Sequence, residues 1–176
     1  MDVDKLKARL KRARLILGLV EETAPEFLFS NPAPIGFMSI DVDYYTATAE
    51  VLKALECDQD LLMPRIHCYF DDMMGFTFSE YTGERLAIAE FNDSHQMRKI
   101  SPIFGLKYFL PRRYSSHLWC EQMYIAHIFD HDLYGRDDGL VIRHNDGVTA
   151  LRQICLAPLL TFLDFADVIP MEAMMC

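Results

Sequence analysis

Ile35-Gly-Phe-Met-Ser-Ile40 holds no charged residue and runs straight into Asp41-Val-Asp43, then into a segment with α-helical periodicity. Successive strand side chains point to opposite faces. A strand without charge on either face therefore asks for cover on both sides, which helices flanking a parallel sheet provide. The pattern repeats. After a helix expected over 46–55, with Val51, Leu52 and Leu55 as its apolar stripe, Arg65-Ile-His-Cys-Tyr-Phe70 reads as a second strand. It stops abruptly at Asp71-Asp72.

Around this unit the chain reads as alternating elements. A short amphipathic helix is expected over 4–12 and a strand over 14–20. A helix capped by Thr23 follows, tolerating Pro25 in its first turn and ending before the breaker cluster Ser30-Asn-Pro-Ala-Pro34. Residues 73–81 read as a loop, 83–91 as a helix, and 103–110 and 122–129 as two more strands. Residues 148–165 read as an apolar helix interrupted by Pro158. The fold class is α/β, with one domain over 1–135 and a helical tail over 136–176 packed on it.

Composition narrows the function. Lys and Arg total 17 against 26 Asp and Glu, a net charge of −9. Such a chain has no global attraction for nucleic acid or an anionic membrane surface. No stretch approaches the ~20 apolar residues of a bilayer span, and the start, Met-Asp-Val-Asp-Lys, lacks the order of a secretory signal. Five scattered cysteines suit reduced thiols. A cytoplasmic protein with no nucleic-acid or membrane partner is expected.

Ligands of open parallel sheets gather outside the carboxyl ends of the strands. If the two acid-ended strands are neighbours, about 4.8 Å apart, Asp41, Asp43, Asp71 and Asp72 converge. Carboxylates so placed repel one another and call for a cation. Mg²⁺, taking oxygen ligands and filling its octahedron with water, suits them. Alternatively, these acids serve only as caps and turn formers, as Asp often does after strands.

Asp41-Val-Asp-Tyr-Tyr45 with the helix behind it, then Tyr69-Phe-Asp-Asp72, resembles the Asp-x-Asp-x-Tyr … Asp-Asp pattern of the macrocin O-methyltransferase-like group. These are class I S-adenosylmethionine (SAM)-dependent methyltransferases. Leu17-Gly18-Leu-Val-Glu-Glu22-Thr23 is similar to that group's segment after its third strand, and the likeness spans about 14–90, reaching loosely to 134. The resemblance implies a partial Rossmann-like sheet holding the third to seventh strands. It also implies Mg²⁺ on Asp41, Asp71 and Asp72. Asp43 would take the proton of a small-molecule or sugar hydroxyl, which then attacks the sulfonium methyl in line.

The group's Gly-rich SAM loop, and the acid ending its second strand, have no counterpart in this sequence. Only residues 1–13 precede the first expected strand, whereas one βαβ unit takes ~30 residues. A sheet without its first two strands leaves the edge beside 35–40 open. Three outcomes are expected to be open: part of a longer enzyme, a catalytically inactive remnant acting as an oligomerising or binding module, or closure by pairing with a second copy. A metal-dependent hydrolase using the same acids would draw its cations from Arg65, Lys107, Arg112 and Arg113.

Other groups carry less. His127 and His131 lie four apart, which in a strand separates them by ~13 Å. His117 and Trp119 fall where the group's acceptor region lies. Cys68 sits inside an apolar strand and reads as buried. The basic run 5–14 reads as a solvated helix face.

Overall fold

The structure, a computed structural model, describes residues 2–74 and 79–135. The expected tail after 135, and Gly75 within the expected loop, lie outside the described residues. Four strands form one sheet in the order β1-β2-β4-β3: β1 Ile35–Ile40, β2 Leu62–Phe70, β3 Arg98–Pro102 and β4 Met123–Ile128. β1 and β2 are parallel, and β4 runs antiparallel to both β2 and β3. β1, β2 and β3 therefore share one direction, and their carboxyl ends lie at one edge of the sheet together with the start of β4. The chain is mixed α/β with an open sheet and flanking helices.

One face of the sheet makes the core. Ile40, Ile66, Cys68, Phe70, Ile100, Tyr124, Ala126 and Ile128 pack with Leu52, Leu55, Ala87, Ile88 and Phe91. The last five come from α3 (Tyr45–Leu52), the 3-10 turn after it, and α4 (Gly83–Ser94). These helices follow β1 and precede β3, and each lays its apolar stripe on the sheet. The other face carries Ser39, Arg65, His67, Ile125 and His127, all exposed or half-buried. The expectation of a β1 buried on both faces is thus corrected. Among the described residues β1 is an outermost strand, and Phe37 keeps 42% of its surface exposed.

Three further readings change. Residues 14–19 form no strand, although the preceding α1 (Val3–Arg9) is present. α2 (Val20–Phe29) starts before Thr23, whose hydroxyl bonds back to the Leu19 carbonyl inside the helix instead of capping it. The stretch 103–110 is not a strand either. Gly105 takes a left-handed φ of 76° and turns it into the short α5 (Leu106–Phe109), leaving Phe104, Tyr108 and Phe109 at the surface. Its place in the sheet belongs to Arg98–Pro102, where only Ile100 is buried. Among the described residues no helix is long and apolar enough to cross a membrane.

Candidate functional site

The parallel register sets Ile40 beside Phe70, so Asp41 and Asp71 leave adjacent strands as the next residues. Asp43 follows in the short connection before α3, and Asp72 lies in the 3-10 turn Asp71–Met73. Two of these acids are perturbed, Asp41 and Asp72. Burial first, then the charges of Asp71 and Asp43, push the Asp41 carboxyl above its usual range. Burial, then Asp43, Asp71 and Asp41, do the same to Asp72. As placed, however, no three His, Cys, Asp or Glu side chains among the described residues are gathered closely enough to hold one ion.

The turn carrying Asp71 and Asp72 is tied down from two sides. Phe70 N–H donates to the main-chain carbonyl of Gln122 at 3.0 Å, and the Gln122 side-chain amide donates to the Asp71 carbonyl. Gln122 stands just before β4 and is buried. On the other side, Asp72 N–H donates to Glu84 Oε2 at 3.0 Å, and Arg85 Nε donates to the Met73 carbonyl at 3.3 Å. Both residues sit in the first turn of α4. The Tyr69 hydroxyl donates to Asp71 Oδ1 at 2.5 Å, and burial together with this bond pushes the phenol's pKa upward.

Glu84 is only 2% exposed, and its Oε1 has no hydrogen-bond partner among the described residues. Burial pushes its pKa up to about 8, the Asp72 charge adds to this, and the bond from Asp72 N–H opposes it. Neither Glu84 nor Gln122 stood out in the sequence. An acid in the first turn of a helix is common because it complements the helix dipole, and Gln122 read as the first residue of a strand.

Other expected groups lie apart from one another. His127 Nδ1 meets the Tyr134 hydroxyl at 2.9 Å, while His131 Nε2 meets the Leu62 carbonyl at 3.1 Å. His117 and Trp119 belong to the connection from β3 to β4. That connection leaves and rejoins the sheet at its acid-bearing end, where Ile103 N–H donates to the Met123 carbonyl. Arg65 stacks over Tyr134, Lys107 pairs with Glu121 at 2.9 Å, and Arg113 stacks over Tyr114. Cys68 is fully buried, with its thiol pushed up to about 12 by burial. A hollow of about 370 Å³ lined by Glu56, His95, Arg98 and Asp130 is built on the starting residue of β3, away from the strand ends that carry the acids.

The arrangement brings acids to adjacent strand ends; carboxylate oxygens are the donor type that Mg²⁺ takes, but among the described residues they are not gathered into a ligand set. No protein-family model matches the chain, and neither the curated proteins nor the solved structures contain a match to it.

Proposed function

We propose that this chain carries the cation- and acceptor-binding portion of a SAM- and Mg²⁺-dependent O-methyltransferase acting on a hydroxyl of a small molecule or sugar. The fold reading that goes with it is a partial Rossmann-like methyltransferase sheet. The supporting observation is that Asp41 and Asp71 each follow the paired ends of adjacent parallel strands, where burial first and then neighbouring acids raise both Asp41 and Asp72. Asp41, Asp71 and Asp72 are the residues that would hold the ion. Carboxylates at neighbouring strand ends repel one another, and a divalent ion would offset that repulsion.

A bound divalent ion supplies Lewis acidity that makes an acceptor hydroxyl easier to deprotonate. Asp43 is the carboxylate that would take that proton. The SAM half of the reading rests on the sequence resemblance, since the chain has no Gly-x-Gly-x-x-Gly segment.

A second reading, a catalytically inactive methyltransferase remnant serving as a binding or oligomerising module, is favoured by one observation. No three ligating side chains among the described residues are gathered at one point. Calorimetric titration of SAM in the presence of Mg²⁺ separates the two. Heat of binding and a rise in melting temperature are expected for the enzyme portion. Their absence, with Mg²⁺ present, favours the remnant.

A further inference from the structure

The connection from β3 to β4 holds apolar and cationic side chains that the core does not use. Phe104, Tyr108 and Phe109 are between 79% and 85% exposed, although Leu106 among them is buried. The 3-10 turn Leu118–Glu121 packs against α5, with Lys107 paired to Glu121, and leaves Leu118 exposed as well. Single apolar residues scattered over a surface are ordinary, whereas a group of them marks contact with another molecule. Residues 103–121 also hold Lys107, Arg112 and Arg113 against one acid, Glu121, in a chain of net charge −9. Arg112 and Arg113 are exposed, and neither meets a carboxylate among the described residues. The connection leaves the sheet at Ile103 and returns at Gln122, which bonds to the Asp71 carbonyl. It therefore stands at the edge that carries the acids. There Asp41 and Asp43 are exposed, form no ion pair among the described residues, and run into the exposed Tyr44.

We propose that this end of the sheet is the contact surface for a second copy of the chain, in a two-fold symmetric pair. Two-fold symmetry brings the same surface to the contact from both sides. Arg112 and Arg113 of each copy then meet Asp41 and Asp43 of the other, and Phe104, Tyr108 and Phe109 supply the apolar burial. Arg, Tyr and Phe are enriched at protein interfaces, where Lys is depleted. An anionic lipid surface fits less well, because the acids beside the arginines are repelled by it, whereas a second copy satisfies both signs. The contact is made by side chains at the strand ends and differs from strand pairing along the β1 edge. It goes beyond the methyltransferase reading and needs no bound ion. Mg²⁺ and the arginines of a second copy are alternative partners for Asp41.

The test is sedimentation velocity of the full chain in EDTA at low salt, so that the outcome does not depend on whether these acids take Mg²⁺. Wild type is expected to run as a dimer whose mass stays constant as concentration rises and which dissociates as salt is raised. Phe104→Ser combined with Phe109→Ser, both at exposed positions, is expected to be monomeric with an unchanged circular dichroism spectrum. Charge reversal tests the pairing itself. Arg112→Glu with Arg113→Glu, and Asp41→Lys with Asp43→Lys, are each expected to be folded and monomeric. An equal mixture of these two proteins is expected to recover the dimer, because one of the two contacts is then native and the other is reversed in sign. A monomeric wild type overturns the proposal, and if that monomer co-sediments with phosphatidylserine vesicles the patch belongs to a lipid surface. A dimer that persists in the charge-reversed proteins overturns it equally, as does a mixture that stays monomeric.

Discussion

The carboxyl of Glu84, at the start of α4, accepts the main-chain N–H of Asp72 at 3.0 Å and so joins a buried acid to the turn at the end of β2. This bond ties the helix that precedes β3 to the turn that follows β2. It also joins two opposed effects. The N–H and the helix N-terminus favour the charged carboxylate, while burial and the neighbouring charges disfavour it, and the second group prevails.

That balance sets a pH dependence. With its pKa raised from 4.5 to about 8, native Glu84 holds a proton that the unfolded chain has released. Its contribution is therefore fully present below the unfolded value and is lost as pH rises toward the folded one. In metal-free buffer, urea unfolding at pH 5 and pH 8.5 should show wild type losing a few kcal/mol more than Glu84→Gln. Parallel pH profiles for the two proteins contradict the burial argument.

Arg98 joins parts of the core that no strand links. Its Nη1 donates to the Leu55 and Cys57 carbonyls at 2.5 and 2.7 Å, and Nη2 pairs with Asp130 at 2.9 Å. Removing it leaves carbonyls at the end of the 3-10 turn without their donor, a loss of about 1.5–3 kcal/mol per charged bond before relaxation. Arg98→Met should lower stability by roughly 3 kcal/mol, with Arg98→Lys recovering only part, since an ammonium cannot span all three acceptors. Chemical denaturation measures both. Near-wild-type stability in Arg98→Met would show that the fork is ornamental. Arg98 also holds the Asp130 carboxyl below its usual range, so this pair's contribution is present above the ordinary carboxylate pKa and fades as pH falls below it.

Among the described residues β3 is an edge strand, and Asn92 covers part of its edge. The Asn92 side chain accepts from Ile100 N–H at 2.7 Å and donates to the Ile100 carbonyl at 2.8 Å, as a neighbouring strand would. Asn92→Ala removes both bonds and should cost about 1–3 kcal/mol. It also frees a strand edge able to pair with other chains. Light scattering at rising concentration should detect association in this variant and none in Asn92→Asp. Equal scattering from both would separate Asn92 from edge protection.

The β1–α3 and β2–turn units were legible because their signals are local: a charge-free run, a carboxylate stop, then helical periodicity. The adjacency of β1 and β2 enters the sequence reading only as a condition, and their parallel pairing comes from the structure. β3 was not. Arg98-Lys-Ile-Ser-Pro102 has a single buried position, and its strand state comes from pairing with β4, which no local pattern announces. The more apolar 103–110 stretch drew the strand assignment instead, although Gly105 breaks it. The acids of the candidate site could be read from strand ends. The residues that hold them, Glu84 and Gln122, could not, because their role arises only where α4 and β4 meet the turn.

A cation shared by Asp41, Asp71 and Asp72 is tested most directly by the response of the folded chain to Mg²⁺. Thermal unfolding of wild type, Asp41→Asn and Asp72→Asn should be followed as Mg²⁺ is raised, with circular dichroism confirming that all three are folded. A melting temperature that climbs with Mg²⁺ in wild type and stays level in both variants is the predicted result. A wild-type chain indifferent to Mg²⁺, or variants that climb as wild type does, would contradict a shared cation on these acids.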